Sequence, residues 1–251
     1  MKIFLTLSYL GTGFCGYQIQ PKGRTVQGEL NRAAKELFGF DCDVTGCSRT
    51  DSGVHAKGFV ALVSGEDLAD IPQESLPLAI NSLLPDDISV LEATAVDSDF
   101  HPRYDVKYKE YVYKIWNGNV KNPFLGDRAF RPSFYISEEA IEQMRIAAHH
   151  FVGEHDFTAF MAKGSKITDA VRNVYYADVY AEGELIVFKV AADGFLYNMV
   201  RIMVGTLVEV ARGNIEADDV IKIIDSRNRA LAGATAPPHG LYLNKVSYIN
   251  I

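Results

Sequence analysis

Residues 46–56, GCSRTDSGVHA, decide how the rest of the chain is organised, and we call them the central loop. They place Arg49 and Asp51 two residues apart among small and turn-forming residues, which specify neither a buried helix nor a buried strand. Glycines there allow positive φ or a close backbone approach, and Thr50 and Ser52 can hydrogen-bond neighbouring amides. The stretch therefore predicts a fixed loop that holds Asp51 still.

An arginine this close to a carboxylate has two explanations. In an extended loop Thr50 points away from Asp51, so Arg49 can fold back beside the carboxylate and keep it ionised at neutral pH. A nucleophile or a general base needs that ionised state. For an isolated Arg-x-Asp, however, a surface pair within a turn is the commoner explanation. Other segments of the chain must decide between the two.

The segments around the central loop predict alternating strands and helices. Apolar periodicity and capping residues, such as Thr25 before the first helix and Gly39 after it, set the boundaries. The first half predicts strands at residues 3–9, 41–48, 54–64 and 88–96, with helices at residues 26–38 and 73–84. The order of elements is therefore β-α-β-β-α-β.

The second half repeats that order. It predicts strands at residues 107–117, 171–180, 185–192 and 241–249, helices at residues 137–152 and 195–212, and an extra short helix at residues 216–228. Two split βαβ units, each with a four-stranded antiparallel sheet backed by helices, are the simplest architecture. The predicted fold class is thus α+β, with two ferredoxin-like halves at residues 1–105 and 106–251 and the central loop in the first.

Composition sets further bounds. With 251 residues, 48% of them hydrophobic, the chain can bury the core of one large domain or of two ordinary ones. It has no run of about 18 apolar residues, and its first residues alternate as in a strand, without a cleavage site for export. Three cysteines without a C-x-x-C pair favour a reducing compartment, without disulfides or a cysteine metal site. We therefore expect a cytoplasmic protein that does not span a membrane.

The charge is unevenly distributed along the chain. A formal net charge of −7 argues mildly against a nucleic-acid partner, and residues 58–99 carry nine acidic side chains and no lysine or arginine. Residues 100–131, in contrast, carry seven basic and three acidic side chains, with four tyrosines and a tryptophan among them. Such a basic and aromatic stretch suits phosphate contact and base stacking. A solvated charge row on an exposed strand fits this one segment equally well.

Several common site motifs are excluded. Gly11, Gly13 and Gly16 match the dinucleotide pattern G-x-G-x-x-G, but the residues that follow do not open a helix, so these glycines are expected to shape a loop near the site. The histidines lack the spacing of a zinc hydrolase or a zinc deaminase. A G-x-S-x-G elbow and a Walker loop are also absent from the sequence. No metal site is predicted.

Three further features depend on single side chains. Tyr111 and Tyr113 share one face of a strand, and geometry alone does not choose which of them presents its ring to a base. Arg201 lies among apolar residues, where it either extends to water or reaches an anionic partner such as Asp51. Leu241 follows a proline-rich turn that could bring it to the floor of a cleft, although ordinary core burial is the simpler explanation.

The central loop resembles the G-R-T-D-x-G-V-H-A signature of the tRNA pseudouridine synthase A (TruA) family. The resemblance covers essentially the whole chain, in the family's order, through YLGTGFCGYQIQ, TVQGEL, FHPRY, KEYVYKIWN, GEHDFTAF, FLYNMVRIMVGTL and HGLYL. It implies the pseudouridine synthase fold, in which the two halves form a central cleft. Three positions depart from the family pattern, namely Leu10 for aspartate, Tyr17 for tryptophan and Ser48 for glycine.

The same resemblance implies a role for each candidate residue. Asp51 would be the catalytic aspartate, and Arg49 would help to flip the target nucleotide out of the stem. Tyr111, the first tyrosine of the Y-x-Y pair, would stack on uracil, and this resolves the choice that periodicity left open. Arg201 would pair with Asp51, and Leu241 would pack in the uracil pocket.

The activity implied by the resemblance is the isomerisation of uridine to pseudouridine at positions 38–40 of the tRNA anticodon arm. It implies a homodimer with a basic cleft that binds tRNA, and the reaction needs no cofactor because the redox state does not change. Two rival hypotheses are a tRNA-binding module that has lost catalysis and an N-glycoside hydrolase that uses Asp51. The intact set of Arg49, Asp51, Tyr111 and Arg201 argues against the first, and retention of uracil would distinguish the synthase from the second.

Overall fold

The computed structural model describes residues 2–65, 71–96, 99–164 and 167–248. The chain forms two compact units, which are described separately. The first unit comprises Met1–Lys107 together with Tyr242–Ile251, and the second comprises Tyr108–Leu241.

The first unit contains the β-α-β-β-α-β order that the sequence predicts. Its elements are β1 (Lys2–Tyr9), α1 (Val26–Phe38), β2 (Asp43–Gly46), β3 (His55–Ser64), α2 (Leu76–Asn81) and β4 (Ile88–Val96). Strand β1 pairs antiparallel with both β3 and β4, and β2 pairs antiparallel with β3. The sheet order is therefore β4-β1-β3-β2, as in a ferredoxin-like unit.

The first helix shows why its boundaries could be predicted. The Thr25 hydroxyl accepts a hydrogen bond from the Gly28 amide at 3.2 Å, which caps the start of α1. Gly39 ends the helix in the left-handed region at φ 79°. Between these caps, Val26 and Leu30 belong to the buried face. The observed helix has the predicted bounds.

The second unit is also an antiparallel sheet with helices. Its elements are β5 (Val106–Trp116), α3 (Glu138–His149), β6 (Gly153–Asp156), β7 (Val171–Glu182), β8 (Leu185–Ala192), α4 (Met199–Ala211) and α5 (Asp219–Ser226). The pairings β5 with β8, β8 with β7 and β7 with β6 are all antiparallel. The sheet order of these strands is β5-β8-β7-β6.

Several details differ from the sequence prediction, besides shifts of one to three residues at the ends of α3 and α5. Strand β6 was not predicted, because its four residues GEHD lack apolar alternation and are held by pairing with β7. Helix α4 begins at Met199 instead of residue 195, because Asn198 takes a left-handed conformation at φ 60°. Helix α2 is only six residues long and follows a short 3₁₀ turn at Gln73–Ser75.

The last strand, β9 (Leu241–Tyr248), was expected to complete the second half. In the structure it pairs in parallel with the start of β3, with Tyr242 opposite His55 and Leu243 opposite Ala56. From Tyr242 onward it therefore groups with the first unit. The end of the predicted strand, residue 249, lies outside the described residues, and the division at residues 105 and 106 into separate domains stays a prediction.

Helix α4 carries a close backbone contact that fixes the segment of residues 233–236. A Cβ atom on Gly205 would lie 1.6 Å from the carbonyl oxygen of Ala234, so only glycine allows this approach. The Gly233 amide also donates to the Thr206 hydroxyl at 2.9 Å. The segment is thus held against the helix by both packing and hydrogen bonding.

Within the part of the chain that the structure describes, no helix is long and apolar enough to cross a membrane.

The Gly205 contact predicts a strong effect of one methyl group. Replacing Gly205 by alanine should lower the free energy of unfolding by roughly 1–3 kcal/mol or more, because the backbone oxygen of Ala234 cannot rotate away. Urea denaturation followed by circular dichroism measures this. Gly126→Ala is the matched control, since its nearest atom beyond the chain neighbours, the Pro123 oxygen, would be 3.9 Å from the new Cβ. Equal effects of the two variants would contradict the packing argument.

Candidate active site

The central loop connects β2 to β3 and turns sharply after Asp51. The Val54 amide donates to the Asp51 carbonyl oxygen at 3.1 Å, and Gly53 adopts the left-handed conformation that the turn requires, at φ 80°. Thr50 is buried, whereas Arg49 is exposed and Asp51 is half-buried. The loop therefore points its two charged side chains away from the core of the first unit.

Two hydroxyl groups anchor the loop to neighbouring segments. The Thr50 hydroxyl and the Tyr9 hydroxyl are hydrogen-bonded at 2.9 Å, and the Ser52 hydroxyl donates to the Phe14 carbonyl oxygen at 3.0 Å. These partners differ from the neighbouring amides that the sequence predicted. The loop is fixed, as expected, but by contacts distant in sequence.

The glycine-rich segment of residues 11–17 packs directly on the central loop. A Cβ on Gly11 would lie 2.0 Å from the Val54 carbonyl oxygen, and one on Gly16, at φ 92°, would lie 2.7 Å from the Thr50 oxygen. The Tyr17 amide donates to that same Thr50 oxygen at 3.1 Å. The segment begins as a 3₁₀ turn at Gly11–Gly13 and opens no α-helix, so its glycines serve loop packing, as predicted.

His55, at the end of the central loop, is a structural residue that the sequence argument did not single out. Its imidazole is fully buried and stacks on Tyr242 with ring centroids 4.7 Å apart. Its Nδ1 atom accepts a hydrogen bond from the Gly11 amide at 3.0 Å, which places the proton of the neutral ring on Nε2. In the sequence, this role could have been inferred from the fact that His55 is the histidine of the family signature.

Two other segments that resemble the family pattern contact the central loop, through Tyr17 and Arg103. Tyr17 is fully buried and stacks on Phe59 at 4.4 Å, and its ring fills the space that a Cβ on Gly46 would need. This departure from the family pattern therefore concerns packing beneath the loop. Arg103, in FHPRY, donates from Nε to the Gly46 carbonyl oxygen at 3.0 Å.

In the second unit, Arg201 lies in the first turn of α4 and is held in one orientation. Its Nε donates to the Ala236 oxygen at 2.7 Å and its Nη1 to the Asn198 Oδ1 at 2.8 Å. The Ala236 amide returns a bond to the Arg201 carbonyl oxygen at 3.0 Å. The partly buried Arg201 is therefore positioned by its own unit, and its predicted pairing with Asp51 stays a prediction.

The structure distinguishes the two tyrosines of β5. Tyr113 is fully buried, and its hydroxyl donates to the Pro237 carbonyl oxygen at 2.8 Å. Burial raises the pKa of Tyr113 well above its usual value, against a smaller opposing effect of Arg201. Tyr111 keeps 7% of its surface exposed and contacts Phe195 edge to face at 5.0 Å. Tyr113 is thus a packing residue, which favours Tyr111 as the ring that meets a ligand.

Leu241 follows the 3₁₀ turn Pro238–Gly240 and is buried. Gly240 packs on Tyr113, because a Cβ there would lie 2.6 Å from its ring. We call residues 236–241 the wall segment, since it contacts Arg201 at Ala236 and Tyr113 at Pro237 and Gly240. In the second unit, therefore, Arg201 contacts the same segment that carries Leu241.

Metal ligation has no obvious location in this structure. In the described ranges of the chain, no group of three or more His, Cys, Asp or Glu side chains could hold a metal ion.

These features define an α+β protein with a carboxylate on a loop anchored by hydrogen bonds, and the comparisons with known proteins identify its class. A model of the family described as tRNA pseudouridine synthase matches residues 6–105 and 147–249. The chain therefore belongs to the tRNA pseudouridine synthase family. Membership confirms the predicted α+β fold class and the predicted class of enzyme, an isomerase.

Relatives match over their full length. The protein named tRNA pseudouridine synthase A from Anoxybacillus flavithermus is 46% identical over 99% of both chains. The protein of the same name from Acetivibrio thermocellus is 44% identical over 98% of this chain and 99% of the relative. That from Bacillus pumilus is 43% identical over 100% of both chains. A solved structure titled as a Cbf5-Nop10-Gar1 complex covers 80% of this chain and 43% of its own, with a TM-score of 0.34 and 15% identity.

The anchoring of the central loop can be tested at Thr50. Thr50→Val removes the hydrogen bond to Tyr9 while keeping the shape of the side chain, so the free energy of unfolding should fall by about 1 kcal/mol. Thr50→Ser keeps the hydroxyl and serves as the matched control. Chemical denaturation of both variants measures the difference. Because Thr50→Ser also loses a buried methyl group, the decisive comparison is Thr50→Val in a Tyr9→Phe background, where an undiminished loss would show that the hydrogen bond is not the cause.

Proposed function

We propose that this protein isomerises uridine to pseudouridine in tRNA and that Asp51 is its catalytic residue. The observation that carries the proposal is the fixed central loop, which buries Thr50 and leaves Asp51 half-buried. A catalytic carboxylate must be held within a fraction of an ångström of its productive position, and a loop locked by hydrogen bonds meets that requirement.

The chemistry requires a carboxylate and no external reagent. The bond between N1 of uracil and C1′ of the ribose breaks, the uracil rotates, and a bond between C5 and C1′ forms; C5 loses a proton and N1 gains one, so the product is an isomer of the substrate. The redox state does not change, so no cofactor is required. Asp51 starts the cleavage either by attacking C1′ or by removing a sugar proton. Tyr111 or water then accepts the C5 proton.

The target base must leave the RNA stack before it can react. Extrusion costs a few kcal/mol, and an inserted side chain and an aromatic stack offset part of this cost. Arg49 is exposed and therefore available for insertion, and Tyr111 supplies the aromatic ring. We assign Leu241 to the apolar side of the uracil pocket and Arg201 to the counter-charge of the Asp51 carboxylate.

The proposed substrate region is the anticodon arm of tRNA, at positions 38–40, and the proposed assembly is a cytoplasmic homodimer. The family to which the chain belongs supports tRNA as the partner. Within the basic stretch, Arg103, Lys107, Lys121 and Arg131 are exposed, so these cations are available to phosphates. A homodimer would combine two such surfaces despite the acidic total charge.

The role of Asp51 can be tested with tRNA transcripts that carry tritium at C5 of uracil. Wild-type protein should release tritium to water, and Asp51→Asn should release it at least about 1000-fold more slowly, because the amide can neither attack C1′ nor accept a proton. Retained binding of tRNA by the variant is the control. Release of free uracil would instead support a glycoside hydrolase, and binding without any tritium release would support a binding module.

The two tyrosines of β5 provide a matched pair of variants. Tyr111→Phe should keep RNA binding but slow single-turnover product formation by roughly 100-fold, if its hydroxyl takes part in proton transfer. Tyr113→Phe loses the bond to Pro237 and should instead lower the free energy of unfolding by about 1 kcal/mol. An unchanged single-turnover rate for Tyr111→Phe would remove the hydroxyl from the reaction and leave Tyr111 a stacking role alone.

A further inference from the structure

The second unit contains a cavity of about 530 Å³ that is lined by none of the residues assigned to catalysis above. Its walls come from the end of β5, from the connection that follows β5, and from the wall segment. The lining side chains that matter here are Trp116, Lys121, Leu125, Phe130, Arg131 and His239. A cavity of this size falls within the range of sites for small organic ligands.

The walls of this cavity are preformed. The Trp116 indole N–H donates to the Val120 oxygen at 2.8 Å, and the ring packs on Gly118, where a Cβ would lie 2.4 Å away. The Trp116 amide donates to the Phe130 oxygen at 2.8 Å, and the Phe130 amide donates to the Lys114 oxygen at 3.0 Å. The Trp116 ring and the backbone of Phe130 are therefore held in place before any ligand arrives, which reduces the entropic cost of binding.

The cavity combines aromatic rings with cations. Lys121 and Arg131 are exposed, and among the described residues neither has a carboxylate partner. The Oδ1 atom of the nearby Asp127 lies 3.8 Å from the Nε atom of Arg128. Aromatic faces beside available cations are the combination by which proteins bind a nucleobase and its phosphate.

His239 adds a neutral polar group to the lining. Partial burial lowers the pKa of His239, a shift that Asp127 opposes and Arg201 reinforces. The imidazole is therefore uncharged at neutral pH, with one nitrogen that donates a hydrogen bond and one that accepts. Base edges present the same mixture of donors and acceptors.

The cavity also lies beside the proposed uracil pocket. His239 precedes Leu241 by two residues, so their Cα atoms are separated by at most about 7 Å. Pro237, another lining residue, accepts the hydrogen bond from Tyr113, and the adjacent Ala236 binds Arg201. The cavity and the residue assigned to the uracil pocket therefore lie on the same short segment of the second unit.

We propose that this cavity binds the base of the nucleotide adjacent to the target uridine, stacked on Phe130, with its phosphate at Lys121 and Arg131. The proposal rests on the proposed function, because that function supplies RNA as the ligand. It gives the enzyme a second point of recognition that depends on a neighbouring base and not on uracil itself.

The test measures dissociation constants for anticodon-arm RNAs by fluorescence anisotropy at one fixed salt concentration. One RNA is intact, and two others carry an abasic ribose immediately 5′ or 3′ of the target uridine. Wild-type protein should bind one abasic RNA about 5- to 150-fold more weakly, the range that a stacked base contributes. Phe130→Ala should bind the intact RNA more weakly by the same factor and should lose nothing further on that abasic RNA.

A second variant keeps the test decisive if Phe130→Ala does not fold. Gly126 lines the cavity, and a Cβ there would meet only the Pro123 oxygen, at 3.9 Å, so Gly126→Phe adds a bulky ring at the cavity wall that should compete with a bound base. This variant should bind the intact RNA more weakly by the same factor as Phe130→Ala, and it should bind the abasic RNA no more weakly than wild-type protein does. The phosphate contact is tested by Lys121→Gln, which should weaken binding of all three RNAs, with Lys222→Gln on α5 as its matched control, since that exposed cation does not line the cavity and its loss should leave the dissociation constants unchanged.

The outcomes separate the two proposals. The pocket proposal would be wrong if the variant and the abasic RNA each weakened binding independently, so that their effects on the dissociation constant multiplied. It would also be wrong if wild-type protein bound both abasic RNAs as tightly as the intact RNA. Because the readout is binding, it does not depend on catalysis. If the variant and the abasic RNA show no additional loss when combined, but no tritium is released, the isomerase proposal is refuted and the pocket stands. If tritium is released but the two losses are independent, the pocket alone is refuted.

Discussion

The contact between two loops is the constraint on which the candidate site in the first unit depends. Gly11 and Gly16 bring one backbone so close to Val54 and Thr50 that no side chain fits between them. That approach buries Thr50 and, because neighbouring residues of an extended loop point to opposite sides, turns Asp51 outward. The position of the carboxylate is therefore set by the packing of backbone on backbone. Such contacts deform less readily than the long side chains of a surface ion pair.

A similar arrangement operates in the second unit, with different chemistry. Gly205 lets the chain at Ala234 lie against α4, and Tyr113 then holds the wall segment at Pro237. Arg201 occupies the first turn of α4, where the positive end of the helix dipole makes a cation unfavourable. Carbonyl and amide oxygens compensate for this, yet the combined field still favours an anion near the guanidinium. The geometry thus suits an arginine that acts on a carboxylate or a phosphate.

Local signals in the sequence predicted those parts of the fold that local forces determine. Thr25 and Gly39 set the bounds of α1 because caps act over three or four residues. The left-handed Asn198 and strand β6 were missed, since apolar periodicity does not report the φ of a single residue, and since pairing with β7 holds β6. For the site, the signature motif gave Asp51 and Arg49, but periodicity could not separate the tyrosines of β5. Their difference lies in a hydrogen bond between residues 124 positions apart.

The two arginines assigned to the reaction differ in when their conformational entropy is lost. A free arginine side chain carries about 2 kcal/mol of rotamer entropy. For Arg201 much of that loss occurs on folding, because Ala236 and Asn198 already hold two of its nitrogens. Arg49 is exposed, so its loss falls on the binding step. A group that stabilises charge in the reaction gains from being fixed beforehand, whereas a group that replaces a flipped base has no position to occupy until RNA is present. The contrast in burial therefore matches the contrast in their assigned roles.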